Sequence, residues 1–142
     1  MEKRDIRERI SQKIQETEKY LNFLVSIIPK DLDKYRSDLK TKAACERYTQ
    51  KTIEAVIDVA FFAINLKKLP QPLEEDTVFT ILTKGRIIPQ ELAEKLIDAK
   101  GMRNFIVHKY GEIDDEKVFY ALSEEIERDI KEFLELIKRL LE

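Results

Sequence analysis

The chain has 142 residues, a length typical of one domain, so residues 1–142 are predicted to form a single unit. Hydrophobic residues make up 43% and charged residues 38%, with only three glycines and four prolines. So few helix breakers among abundant Lys, Glu, Leu and Ile favour an all-α protein. The net charge of −2 excludes a uniformly basic surface, so binding of nucleic acid would need a local basic patch.

The single cysteine and the single histidine limit the possible chemistry. Cys45 has no disulfide partner within the chain and is expected to be a small buried residue rather than a reactive thiol. One Cys and one His cannot form a zinc site within one chain, and neither a metal nor a cofactor is expected. Residues 1–9 are too charged for a signal peptide, and the apolar run 55–64 is too short to span a bilayer. We therefore expect a soluble, cytoplasmic protein with no membrane partner.

The first helix is predicted over residues 3–28. Its apolar positions follow helical spacing, at Ile6, Ile10, Ile14, Leu21, Leu24 and Ile28. Pro29 is expected to end this helix. Asp31 is then placed to cap a short helical turn through residues 33–35.

A second long helix is predicted from about Asp38 to Lys68, and its apolar second half, 55–64, is expected to be the most buried part of the domain. The loop 69–76 carries two prolines and ends it. A short helix follows at about 75–84, with Gly85 expected in the left-handed conformation after it. Pro89 suits the first turn of the next helix, which leads through Leu92, Leu96 and Ile97.

A final long helix is predicted after Gly111, capped by Asp114 or Asp115. Its stripe has a period close to 3.6 and comprises Val118, Leu122, Ile126, Ile130, Phe133 or Leu134, Ile137 and Leu141. No strand pattern and no repeat occur. The predicted fold is an up-and-down bundle of four to five helices, built on three long ones.

Polar chemistry surrounds an apolar run in 101-GMRNFIVHKYGEIDD-115. Phe105, Ile106 and Val107 are expected to form the inward face of a helix. Arg103 and His108 are five residues apart, so on one straight helix their side chains point about 140° apart. They can converge if the helix ends near His108, or if a second copy of the segment lies across a dimer axis.

An imidazole and a guanidinium suffice for metal-independent RNA cleavage. Histidine is the usual acid or base near neutral pH, and arginine matches a phosphate or a developing phosphorane oxyanion. The ribose 2′-hydroxyl would be deprotonated and would attack the adjacent phosphorus, and the 5′-oxygen would leave. The alternative is structural: His108 bonds a carbonyl at a helix end, and Arg103 is a surface charge.

A polar stripe at helical spacing crosses the second long helix at Arg47, Gln50, Glu54 and Asp58. One interpretation makes it a second side of the site, with Asp58 or Glu54 orienting Arg103 or His108, since a buried carboxylate needs a partner. The other interpretation is a solvent-facing stripe or a local polar network within this helix.

The segment from Lys84 to Lys109 has six Lys or Arg against three Asp or Glu, whereas Gly111 to Glu142 has five against eleven. The region around Arg103 is therefore locally basic. Lys109, Lys100 and Arg86 are expected to be surface cations that can contribute phosphate contacts. Tyr110 by itself suggests packing at the rim of the bundle.

The string 103-RNFIVHKY-110 resembles the R-x4-H-x-Y signature of HepT-type toxins, a branch of the HEPN ribonuclease superfamily. The resemblance extends to 47-RYTQKTIEAVID-58, to 77-TVFTILTKGRIIPQELAEKL-96 and to 113-IDDEKVFYAL-122, so it covers essentially the whole chain.

The resemblance implies a HEPN-like helical homodimer that cleaves RNA without a metal at a cleft between subunits. His108 would be the acid or base, Arg103 would bind the scissile phosphate, and Asn104 would orient the group beside it. The family is usually paired with a minimal nucleotidyltransferase antitoxin that adds AMP to the motif tyrosine, here Tyr110. The resemblance thus implies the toxin of a type VII-like toxin–antitoxin pair. The alternative is a non-catalytic helical module that binds a nucleotide or docks the nucleotidyltransferase.

Overall fold

Aspartate caps and a proline set the helix boundaries in the first half of the chain. The computed structural model describes residues 3–108 and 113–142, except for the side chain of Asp76. Helix α1 spans Lys3–Ile27 and ends just before Pro29. Asp31 accepts a hydrogen bond of 2.8 Å from the backbone N–H of Lys34 and caps α2, Leu32–Ser37. Asp38 caps α3, Leu39–Leu66, in the same way, so the predicted boundaries of both long helices are confirmed within two residues.

The second half begins with one 3₁₀ turn, Glu75–Thr77, and α4, Val78–Lys84, where a single short helix is predicted. Helix α5 spans Gln90–His108 and begins directly after Pro89. Helices α6, Asp115–Glu124, and α7, Ile126–Leu140, complete the described part. Asp114 caps α6 through the backbone N–H of Lys117 at 3.2 Å, as predicted.

The prediction of one continuous final helix is wrong, because the chain departs from helical geometry at Glu125, where φ is −119°. The two halves pack against different neighbours: α6 contacts α2, whereas α7 contacts α1 and α5. The break lets both halves bury the same apolar stripe, from Val118 and Leu122 to Ile130 and Ile137. The described residues form seven α-helices rather than four to five, while the all-α class is confirmed.

The left-handed residue after α4 is Arg86, with φ of 60°, and not Gly85, whose φ is −79°. The backbone N–H of Ile87 donates to the carbonyl of Leu82 at 2.9 Å and closes the helix end one residue later than predicted. Gly85 serves a different purpose, since a Cβ there would lie 2.7 Å from Cδ1 of Leu69. The glycine therefore permits close packing rather than a positive φ.

Helix α3 lies at the centre of the bundle. It packs along α1 and also contacts α2, α4 and α5. The run 55–64 is mostly buried, as predicted, but Asp58 is exposed. Cys45 is fully buried, and burial raises the pKa of its thiol to about 11. Within residues 3–108 and 113–142, no helix is long and apolar enough to cross a membrane.

Candidate active site

Arg103 is held between two carboxylates from different parts of the chain. Its Nη1 donates to Oε1 of Glu54 at 3.2 Å, and its Nη2 donates to Oε2 of Glu75 at 2.8 Å. The side chain of Arg103 is only 10% exposed, against 44% for Glu54 and 50% for Glu75. The guanidinium therefore lies inside the bundle wall, with the carboxylates between it and solvent. We call Arg103, Glu54 and Glu75 the arginine clamp.

The polar stripe of α3 leads directly to the clamp. Nη1 of Arg47 donates to Oε1 of Gln50 at 3.1 Å, and Nε2 of Gln50 donates to Oε1 of Glu54 at 3.1 Å. Oε1 of Glu54 thus accepts from Gln50 on its own helix and from Arg103 on α5. The local network and the contact with Arg103 are therefore parts of one chain of hydrogen bonds, and Glu54 is where the two meet.

Asp58 does not join this network. Its carboxylate is 52% exposed and lies 3.4 Å from Nζ of Lys13 on α1. The pKa of Lys13 is raised, chiefly by its hydrogen bond to Glu16 and also by the charge of Asp58, against an opposing effect of burial. Asp58 lies one turn after Glu54, and its side chain faces α1 rather than α5. It therefore pairs with Lys13 and does not orient Arg103.

Two of the proposed phosphate-binding cations differ sharply in exposure. Lys100 is buried, with 5% of its surface exposed, so the expectation of a surface cation is wrong at this position. It lies three residues before Arg103, on the same face of α5. Arg86 is exposed, in the left-handed turn after α4. Lys109, the third candidate, and Tyr110 lie outside the described residues.

His108 is exposed and is the last residue of α5, whereas Arg103 is buried in the same helix. This contrast is what the angular separation of about 140° predicts for an unbroken helix. Asn104 is half-buried, four residues before His108 and therefore on a neighbouring part of the surface. Within one chain, the two side chains of the motif do not face one point.

The apolar run of the motif is not a uniformly inward face. Ile106 is buried, but Phe105 is 45% exposed, so the expectation for Phe105 is wrong. Phe105 lines a groove of about 840 Å³ between α5 and α6, together with Gly101, Met102, Tyr120 and Ala121. Arg103 does not line this groove, because it lies on the opposite side of α5. The groove and the arginine clamp are therefore separate features.

The sequence patterns do not identify Glu75 as a site residue. It follows the proline-containing loop and is separated from Arg103 by 28 residues, so no helical spacing connects the two. The available signal was the acidic run Glu74, Glu75 and Asp76 beside a segment that leads to a buried arginine. A buried guanidinium needs more than one acceptor, which predicts a second carboxylate without identifying it. No cluster of three or more potential metal ligands occurs among the described residues.

The all-helical fold with the motif on one helix is similar to that of HEPN toxins of known structure. The structure has a TM-score of 0.84 with a tri-AMPylated HEPN toxin of Shewanella oneidensis in complex with an MNT antitoxin, at 26% identity and over 98% of this chain and 99% of that one. A toxin–antitoxin structure with AMP-PNP gives a TM-score of 0.83 at 25% identity, over 96% of this chain and 99% of that one.

Residues 10–137 match the family described as "Ribonuclease HepT-like". The chain is 31% identical over 105 residues to the tRNA nuclease HepT of Aphanizomenon flos-aquae, covering 74% of this chain and 71% of that protein. It is 28% identical over 108 residues to the mRNA nuclease HepT of Shewanella oneidensis, covering 76% and 80%. The chain belongs to the HepT-like ribonuclease family, which confirms the resemblance on which the sequence predictions rest.

Proposed function

We propose that this chain is a metal-independent RNA endonuclease that acts as the toxin of a type VII-like toxin–antitoxin pair. The observation that carries the proposal is the placement of Arg103 and His108 on one helix of a HepT-like chain, with Arg103 held by carboxylates and His108 exposed at the helix end. An exposed imidazole can exchange protons with a substrate, and a fixed guanidinium can balance charge on a phosphate.

His108 acts as the acid or base in the proposed reaction. It takes the proton of the ribose 2′-hydroxyl, whose oxygen forms a bond to the adjacent phosphorus while the bond to the 5′-oxygen breaks. The products are a 2′,3′-cyclic phosphate and a free 5′-hydroxyl, to whose oxygen the protonated His108 returns the proton that it took. Arg103 binds the phosphate and the oxyanion that develops on it, and Asn104 orients the adjacent group.

Arg103 and His108 of one chain point apart, but in a homodimer His108 of one copy can act with Arg103 of the other. A second copy is also supported, independently of Arg103, by the apolar surface on the other side of α5. Ile97, Phe105 and Tyr120 are 37%, 45% and 48% exposed, and the last two line the groove between α5 and α6. Large exposed apolar side chains in one region are typical of protein interfaces.

The proposed partner in regulation is a minimal nucleotidyltransferase antitoxin. It would transfer AMP from ATP to the hydroxyl of Tyr110: the oxygen attacks the α-phosphorus, and pyrophosphate leaves. Tyr110 follows His108 by two residues, so each added phosphate would compete with RNA near the motif. The proposed location of this pair is the cytoplasm, where both RNA and ATP are present.

The direct test is to express wild type, His108→Ala, Arg103→Ala and the exposed α5 control Glu94→Ala, and to measure growth arrest and RNA cleavage in EDTA. We expect wild type and Glu94→Ala to cleave and the two motif variants to lose at least about a hundredfold, the usual contribution of acid–base catalysis. Circular dichroism checks that each variant is folded. Equal activity of all four chains would refute the ribonuclease function and favour the non-catalytic docking module.

The modification is tested by co-expression with a nucleotidyltransferase encoded beside this chain. We expect the mass of the chain to rise in steps of one adenylate unit and the RNA cleavage to fall in parallel. A Tyr110→Phe variant should stay unmodified and active. Equal modification of that variant would place the acceptor elsewhere.

A further inference from the structure

The two carboxylates of the arginine clamp lie on very different elements of the fold. Glu54 lies in the middle of α3, a helix of 28 residues, and also accepts a hydrogen bond from Gln50. Glu75 is the first residue of a 3₁₀ turn of three residues, and that turn has no side-chain cap at Glu74. Either carboxylate can leave Arg103 by a change of rotamer, but Glu54 must also give up its hydrogen bond from Gln50, whereas Glu75 can move together with its short turn.

Access to Arg103, rather than its number of donors, limits what a substrate can reach. Two of its five N–H groups donate to carboxylates, and its Nε is buried without a hydrogen-bond partner among the described residues. With 10% of the side chain exposed and a carboxylate on each terminal nitrogen, a phosphate oxygen that approaches Nη2 from solvent meets Glu75 first. A phosphate diester carries one negative charge and forms the same kind of charge-assisted bond as a carboxylate.

We infer that Glu75 occupies the position of the RNA phosphate on Nη2 of Arg103 and is displaced when RNA binds, while Glu54 keeps Arg103 in place. This inference rests on the proposed function and adds a residue to it. Glu75 is a positioning residue that controls access to Arg103, and it contributes no proton to the reaction. The 2.8 Å contact of Glu75 with Nη2 is the contact with which the phosphate has to compete.

The chain offers a matched control. Glu75→Gln removes the charge but keeps the size of the side chain, and Glu74→Gln removes an equal charge from the exposed neighbouring residue. Both variants change the net charge identically, so any general electrostatic effect on RNA binding is the same for both. A difference between them isolates the contact with Arg103.

The first measurement is the affinity of each full-length variant for an RNA whose 2′-hydroxyls are methylated and which therefore cannot be cleaved. We expect Glu75→Gln to bind about fivefold more tightly than wild type and Glu74→Gln to stay within about twofold, as the range for partly exposed ion pairs indicates. With cleavable RNA, Glu75→Gln should lower KM by a similar factor without raising kcat. Equal tightening by both variants, or a lower kcat at unchanged KM, would overturn the inference.

The second measurement needs no RNA. Phenylglyoxal modifies accessible arginines, and peptide mass spectrometry follows Arg103 separately from the others. We expect Arg103 to be labelled several-fold faster in Glu75→Gln than in wild type or Glu74→Gln. If wild type neither binds nor cleaves RNA, the proposed function fails, and the labelling still decides whether Glu75 covers Arg103. Unchanged labelling in Glu75→Gln would refute that cover.

Discussion

Neutralising Glu54 should destabilise the protein measurably, although its carboxylate is nearly half exposed. In Glu54→Gln, Arg103 keeps Glu75 as its one charged acceptor among the described residues that contact it, and the amide oxygen at position 54 is a weaker acceptor. The guanidinium stays buried in either case. The cost is therefore that of a buried cation that loses part of its charge compensation.

The exposures of the partners bound the magnitude. Removing one partner of a fully buried ion pair costs about 3–5 kcal/mol, whereas exposed pairs contribute about 0–1 kcal/mol. Here the arginine side chain is 10% exposed and the carboxylates are 44% and 50% exposed, so the pair lies between these cases. Since Glu75 and the amide remain, we expect a loss of about 1–2 kcal/mol in the free energy of unfolding.

Urea denaturation at fixed protein concentration measures this loss as a lower midpoint at unchanged slope. Asp58→Asn is the matched control, one turn further along α3, because its carboxylate pairs with Lys13 at the surface and should cost less than about 0.5 kcal/mol. In an Arg103→Met background, Glu54→Gln should have almost no cost. Equal losses for Glu54→Gln and Asp58→Asn, or zero coupling between Glu54 and Arg103, would refute the reasoning.

Two further predictions concern the fold. Gly101→Ala should stabilise the protein by about 0.5–1 kcal/mol, since a Cβ there meets nothing within 4 Å. Gly85→Ala should instead cost about 1 kcal/mol, because Leu69 must move. Thermal unfolding measures both variants, and equal shifts of the midpoint temperature would contradict the prediction. The pKa of Cys45 is raised to about 11, so its contribution is fully present below the unfolded-state pKa of about 9 and is lost as the pH rises through 11. The free energy of unfolding should therefore fall more steeply between pH 9 and 11 in wild type than in Cys45→Ala, and parallel curves would contradict the assignment.

The sequence predicts helices well where local signals agree. Asp31, Asp38 and Asp114 are caps whose effect is confined to three residues, and the two of them that the sequence predicts as caps, Asp31 and Asp114, are confirmed. The break at Glu125 has no such signal, because the apolar period continues through it and only the differing neighbours of α6 and α7 require it. Gly85 shows the same limit. Its position after α4 suggests a left-handed residue, but in the structure the glycine leaves room for Leu69, which packs against it.

The site was predictable only along single helices. The spacing of Gln50, Glu54 and Asp58 identifies one polar stripe, yet the bundle turns Glu54 toward Arg103 and Asp58 toward Lys13. Which neighbour each carboxylate meets depends on the packing of α3 against α1 and α5, and helical periodicity does not contain that information. The contact of Glu75 with Arg103, across 28 residues, starts from a short turn that no helical spacing connects to α5.

The charges around Arg103 explain why RNA binding should depend on a displaced carboxylate. In the arginine clamp, the one positive charge of Arg103 faces the two negative charges of Glu54 and Glu75. The clamp as it stands therefore does not attract a distant phosphate. When Glu75 turns away, the clamp loses one negative charge beside the nitrogen that the phosphate needs. The movement that opens the site thus also removes a charge that repels the phosphate, so access to Arg103 and attraction for RNA change together.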